Sequence, residues 1–171
     1  MTGLIRGITL THPWAYCIAK LGKDVENRKW HPRRRGGEVG MYLAIHGGVV
    51  PGKNTGKREE ARLDLAVALD LAGRAGQDVP FTPQQRSALH MGLHVEGEEQ
   101  FFTPGIVAVA RLAAVTQHSP SPWAAAGQHH WQLADVVTLP EVVPHRGAQG
   151  LWALEADALR KVRAGFKAVA A

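Results

Sequence analysis

The sequence predicts an α+β fold: a small mixed β-sheet, closed or nearly closed, with flanking helices and one helical insertion. Three observations carry this expectation. The chain reads strand, helix, strand, helical insertion and then several strands. It lacks the regular alternation of strand and helix that a doubly wound parallel sheet requires. Its 171 residues suit one domain, 1–171, with a core of its own. Closure is expected because curling a sheet onto itself removes exposed edges.

Taken in order, Leu4 to Leu10 mixes β-branched residues with alternating polarity and predicts a strand. His12-Pro13 stops it, and Pro13 can open a helix, since the first turn tolerates a missing N–H. Trp14, Ile18 and Leu21 then share one helical face. Gly22 ends that helix, because glycine accepts positive φ just past the last turn. Lys23 to Trp30 reads as extended, with Glu26, Arg28 and Trp30 on one face and Val25 and Asn27 on the other. Lys23 joins the Glu26 face only if the turn at Gly22 breaks the alternation. His31 to Gly37 is a basic loop, and Glu38 to His46 is the next strand.

The insertion spans about 53–100. Leu65, Ala68, Leu69 and Ala72 form an apolar stripe at helical spacing, with Arg58, Glu59, Glu60, Arg62 and Asp64 largely off it. Thr82-Pro83-Gln84-Gln85 starts a second helix: Thr82 is the N-cap and Gln85 completes a capping box. Val95 to Phe102 reads as an acidic, then aromatic loop. Gly105 to Val115 is valine-rich and predicts a buried strand. Ser119 to Gln128 is a loop or short helix. His129 to Thr138 is a strand that Val142 to His145 extends, and Gly150 to Glu155 is the last one. A terminal helix is expected at about 157–169. No repeat of 20–50 residues is visible.

Hydrophobic residues make up 45% of the chain and charged residues 20%, which argues against global disorder. The net charge of +5 suits a polyanionic partner such as RNA, and equally a generic basic surface. The single cysteine, Cys17, lies in an apolar run and reads as a small buried hydrophobe. The first residues contain no long apolar segment, so no signal peptide is expected. No apolar run approaches the ~20 residues that span a bilayer. The expected location is cytoplasmic, with no membrane association.

Chemistry concentrates between Thr11 and Trp30. Lys23, Asp24, Glu26, Asn27, Arg28 and Trp30 crowd into one short stretch, a density a core would not tolerate unpaired. Lys23, Arg28 and Arg35 suit phosphates. Trp14 and Trp30 suit base stacking, worth ~1–3 kcal/mol per base. Glu26 and Asn27 suit a base edge. The competing reading is a Lys-Glu-Arg ion network at a barrel mouth, with both tryptophans as core. His46, at a strand end beside Gly47-Gly48, suits an acid, base or donor, or a satisfied core position. His129 and His130 point to opposite strand faces, and no metal-ligand spacing occurs, so no metal is expected. The loop from Gly52 to Lys57 lacks the spacing of a phosphate-binding P-loop, and no serine sits in a nucleophile elbow. No cofactor is expected.

These motifs carry a resemblance. HPWAYCIAKLGKDVENRKW followed by RRRGGEVGMYLAIHGG resembles the ASCH domain signature of the PUA-like superfamily, and GIVAVARLAAV and HHWQLADVVTLPEVVPHRGAQGLWAL fit downstream. The resemblance covers most of the chain apart from the insertion and the last helix. It implies a small PUA-like mixed β-barrel with a charged cleft beside the first helix. It also implies a partner that is RNA, single-stranded nucleic acid or a modified nucleoside, with Trp14, Lys23, Glu26, Asn27, Arg28, Trp30, Arg35 and His46 as site residues. Some family members are hydrolases, either N4-acetylcytidine amidohydrolases or ribonucleases. The amidohydrolase lysine falls on Lys23 and a neighbouring arginine on Arg28. The threonine nucleophile falls on Glu26, and the acidic partner has no counterpart, since Leu112 to Ala134 contains no Asp or Glu. The catalytic alternative is therefore Glu26 as base on a water, with Lys23 stabilising charge. A third alternative is a protein partner for the insertion or the basic terminal helix.

Overall fold

A computed structural model describes residues 3–170. They form a mixed α+β fold: a six-stranded curled half-barrel sheet with four α-helices. The strands are β1 (Ile5–Leu10), β2 (Val25–Arg28), β3 (Tyr42–Gly47), β4 (Gly105–Thr116), β5 (His129–Val143) and β6 (Leu151–Trp152). The helices are α1 (Trp14–Lys20), α2 (Gly56–Arg74), α3 (Pro83–His90) and α4 (Ala156–Ala170). Sheet order is β2-β5-β4-β3-β1-β6, with β1 parallel to β3 and the other pairs antiparallel. The sheet curls without closing, so β2 and β6 remain as edges.

Each sheet face has its own cover. Ala15 and Ile18 of α1 pack with Ile8, Leu10, Leu43, Ile45, Leu112 and Trp131. On the opposite face, Ala158 and Val162 of α4 pack with Ile5, Ala44, Val109, Leu139 and Trp152. Irregularities in β4 reset which side chains face which cover. The shift between Ile106 and Ala108 turns Ile106 toward α4 while Ala108 and Ala110 face α1. Pro140 of β5 falls in that same gap in the ladder, where a missing N–H removes no pairing. That is why β5 runs unbroken past Thr138, as far as Val143 rather than the expected His145.

The insertion forms a third cluster. Leu65, Ala68, Leu69 and Ala72 pack with Cys17, Leu21 and Val25 of the α1–β2 segment and with Phe101. The capping box of α3 forms as expected, with Thr82 and Gln85 exchanging side-chain and backbone hydrogen bonds at 3.3 and 2.9 Å.

Several local expectations are corrected. The third strand starts at Tyr42, because Glu38 to Met41 forms a turn tied to Leu112 at 2.7 Å through Gly40. The basic loop contains a 3-10 turn, Pro32–Arg35, and the acidic loop another, Glu98–Phe101. The last strand is only Leu151–Trp152. Arg58 and Arg62, expected on the solvated side of α2, are buried. Both Nε atoms reach Glu98, at 3.2 and 3.0 Å, and Glu98 is fully buried. Arg62 also donates to Gly92 O and Arg58 to Pro51 O, so the pair of arginines ties α2 to the segments before and after it. Among the described residues, no helix is long and apolar enough to cross a membrane.

Candidate functional site

The site grows from the turn after α1. Gly22 has φ 68°, and the next N–H, that of Lys23, bonds back to Cys17 O at 3.1 Å. This turn breaks the strand alternation and delivers Lys23 to the Glu26 side. Lys23 Nζ lies 3.0 Å from Glu26 Oε2 and also donates to Val25 O. Lys23 is only 3% exposed, so this pairing compensates a buried charge. The other carboxylate oxygen of Glu26 lies 2.9 Å from Arg28 Nε. That N–H makes no hydrogen bond, so the contact is electrostatic attraction without directed bonding. Arg28 Nη2 donates to Thr9 O at 3.1 Å. Since β2 is one sheet edge and β1 lies next to the other, Arg28 bridges the open seam of the half-barrel.

Two hollows meet at this bridge. One, of about 610 Å3, is lined by Arg28, Trp30, Arg35, His46 and the loop from His145 to Gly150. The other, of about 580 Å3, is lined by Trp14, Lys23, Glu26, Asn27, Arg28 and Trp123, with Val67 and Leu71 of α2 as a wall. Thr9 and Arg28 border both. We call them the arginine hollow and the lysine hollow. Both sizes lie within the range of small-ligand pockets. A third hollow, of about 460 Å3, also touches Thr9 and is lined by His12, Lys57, Glu60 and Asp64.

The residues singled out from the sequence are therefore divided. Trp14, Lys23, Glu26 and Asn27 line the lysine hollow, Trp30, Arg35 and His46 the arginine hollow, and Arg28 both. Trp14 lies 5.9 Å from Lys23 Nζ, and Trp30 lies 5.8 Å from the Arg35 guanidinium, both in cation–π range. Trp30 also meets the core Trp131 edge-on at 4.8 Å, which fixes its ring. Asn27 acts on the wall: it donates to Trp123 O at 2.8 Å and accepts from Ala125 N–H at 2.9 Å. Sequence reasoning missed Thr9, Val67, Leu71, Trp123 and the His145–Gly150 loop. Only the paired glycines at 147 and 150 marked that loop as a backbone built for close approach.

His46 is 4% exposed. Its Nε2 donates to His145 O at 2.9 Å, which leaves Nδ1 as the acceptor, and Nδ1 has no protein partner. Burial pushes its pKa down, against the pull of the His145 carbonyl, so the ring is held neutral near pH 7. His145 stacks on Trp152 at 4.6 Å and 17°, and Trp152 donates to Thr9 Oγ1 at 3.2 Å. Gly147 lies over this cluster. A methyl group there would stand 2.6 Å from Thr9 Oγ1 and 2.8 Å from His46 Cε1, both on anchored side chains. Gly147→Ala is expected to lower stability by about 1–3 kcal/mol through overpacking, read as a reduced melting temperature.

Cys17 is fully buried, and burial pushes its thiol up to about 12, which removes it as a nucleophile at neutral pH. His130 is satisfied at both nitrogens, by Ser119 N–H and Ala125 O. Among the described residues no cluster of three metal-ligating side chains forms. What the seam offers is tryptophan surfaces, an ion-paired charge cluster and the exposed guanidinium groups of Arg35 and Arg146. No protein-family model matches the chain, and no curated protein matches it in sequence.

Proposed function

We propose that this chain is an ASCH-type, PUA-like module that binds RNA or a modified nucleotide at the seam. The observation that carries the reading is the pair of adjoining hollows, each bordered by a tryptophan and both bordered by Arg28. Aromatic faces beside a cationic backbone track are how single-stranded nucleic acid is held. The motif resemblance and the basic net charge favour the same partner. Hydrolysis through Lys23 and Glu26 has less support. Each Glu26 oxygen faces a cation, so a water would compete with Lys23 and Arg28 for its lone pairs.

Tryptophan fluorescence of the full chain, titrated with short single-stranded RNA, tests the proposal. Binding should quench the signal, weaken as salt rises, and weaken in Lys23→Ala and in the exposed variant Arg35→Ala. Absence of binding, or binding indifferent to salt and to both substitutions, would overturn it. Turnover of N4-acetylcytidine or RNA, lost in both Lys23→Ala and Glu26→Gln, would replace it with the hydrolase reading.

A further inference from the structure

The hollows along the seam differ in charge. Around the arginine hollow the charged side chains are Arg28, Arg35 and Arg146, and among the described residues no carboxylate lines it. In the lysine hollow Lys23 and Arg28 are set against Glu26, which pairs with both. The third hollow sets Lys57 against Glu60 and Asp64. All three hollows meet at Thr9 and differ in charge: arginines without a carboxylate in one, Lys23 and Arg28 sharing Glu26 in the next, and Lys57 facing Glu60 and Asp64 in the third.

From this difference we infer that the arginine hollow is a phosphate subsite, and that the ligand's base lodges next door in the lysine hollow. The inference rests on the nucleotide-binding reading and specifies its polarity. Guanidinium groups bind phosphate oxygens through paired, charge-assisted hydrogen bonds, and no carboxylate lines the hollow beside Arg35 and Arg146. Arg28 stands between the two hollows, its guanidinium held by Glu26 on one side and by Thr9 O on the other, where base and phosphate would join. In the lysine hollow both cations already pair with Glu26, and Trp14, Val67 and Leu71 wall it, which suits a neutral ring.

Calorimetric titration of the full chain with the common ribonucleosides and with their 5′- and 3′-monophosphates tests this. The monophosphates should bind about tenfold more tightly than their nucleosides, the worth of one charge-assisted hydrogen bond. That advantage should shrink in Arg35→Ala and Arg146→Ala, both exposed, and persist in Arg160→Ala on α4. Equal affinity for nucleoside and monophosphate would overturn the subsite while leaving nucleotide binding in place. An advantage that survives both arginine substitutions would move the phosphate elsewhere. No binding of nucleosides, monophosphates or RNA oligonucleotides would overturn the subsite and the functional reading together.

Discussion

Glu98→Gln is expected to lower stability by about 3–5 kcal/mol, the largest effect of any single polar substitution considered for this chain. The carboxylate is fully buried between Arg58 and Arg62 and also accepts from Val95 N–H at 3.1 Å. Removing its charge leaves the buried Arg62 without a carboxylate and Arg58 with only the exposed Glu99. Burial alone would raise the Glu98 pKa, but the Val95 N–H, His94 and Arg62 outweigh it and hold the carboxyl below its ordinary value. The sign of the pH dependence follows. A depressed carboxylate adds stability above its unfolded pKa, about 4.3, and that stability is lost as pH falls through the folded value. Chemical denaturation of wild type at descending pH should show this loss, and Glu98→Gln should lack it. Because α2 supplies Val67 and Leu71 to the lysine hollow, the variant should also weaken ligand binding.

The second large effect is expected at the seam. Glu26→Gln strips the counter-charge from Lys23, 3% exposed, and from Arg28, and should cost about 3 kcal/mol or more. The double variant Lys23→Met, Glu26→Gln removes the orphaned ammonium and should recover much of that loss, because the cost of breaking a buried pair is that of the charge left without a partner. Denaturation midpoints for wild type, both single variants and the double variant give the coupling energy directly. Recovered stability without recovered RNA binding would separate the fold's need for the pair from the ligand's.

Local pattern was enough for most of the fold. The Pro13 start, the Gly22 stop and the Thr82–Gln85 capping box are written in adjacent residues, and so is the stripe from Leu65 to Ala72. What escaped depends on distant partners. Arg58 and Arg62 look solvated in their own helix because Glu98 lies 40 and 36 positions away. The run of β5 through Pro140 depends on a gap in its pairing with β4, which no window of β5 reveals. At the site, the stretch from Trp14 to Trp30 was legible as a charge-dense unit. Its division into two hollows was not, since that follows from Arg28 reaching Thr9 across the seam.

A ligand held at the seam must touch Trp14, Trp30 and Arg28. Two-dimensional NMR of the tryptophan indole and arginine Nε signals, followed during titration with a short single-stranded RNA, reads this directly. The indole signals of Trp14 and Trp30 and the Nε signal of Arg28 should move together, while Arg160 and Arg163 of α4 stay still. Shifts confined to the basic face of α4, with the Trp14, Trp30 and Arg28 signals unmoved, would contradict a nucleotide site at the seam.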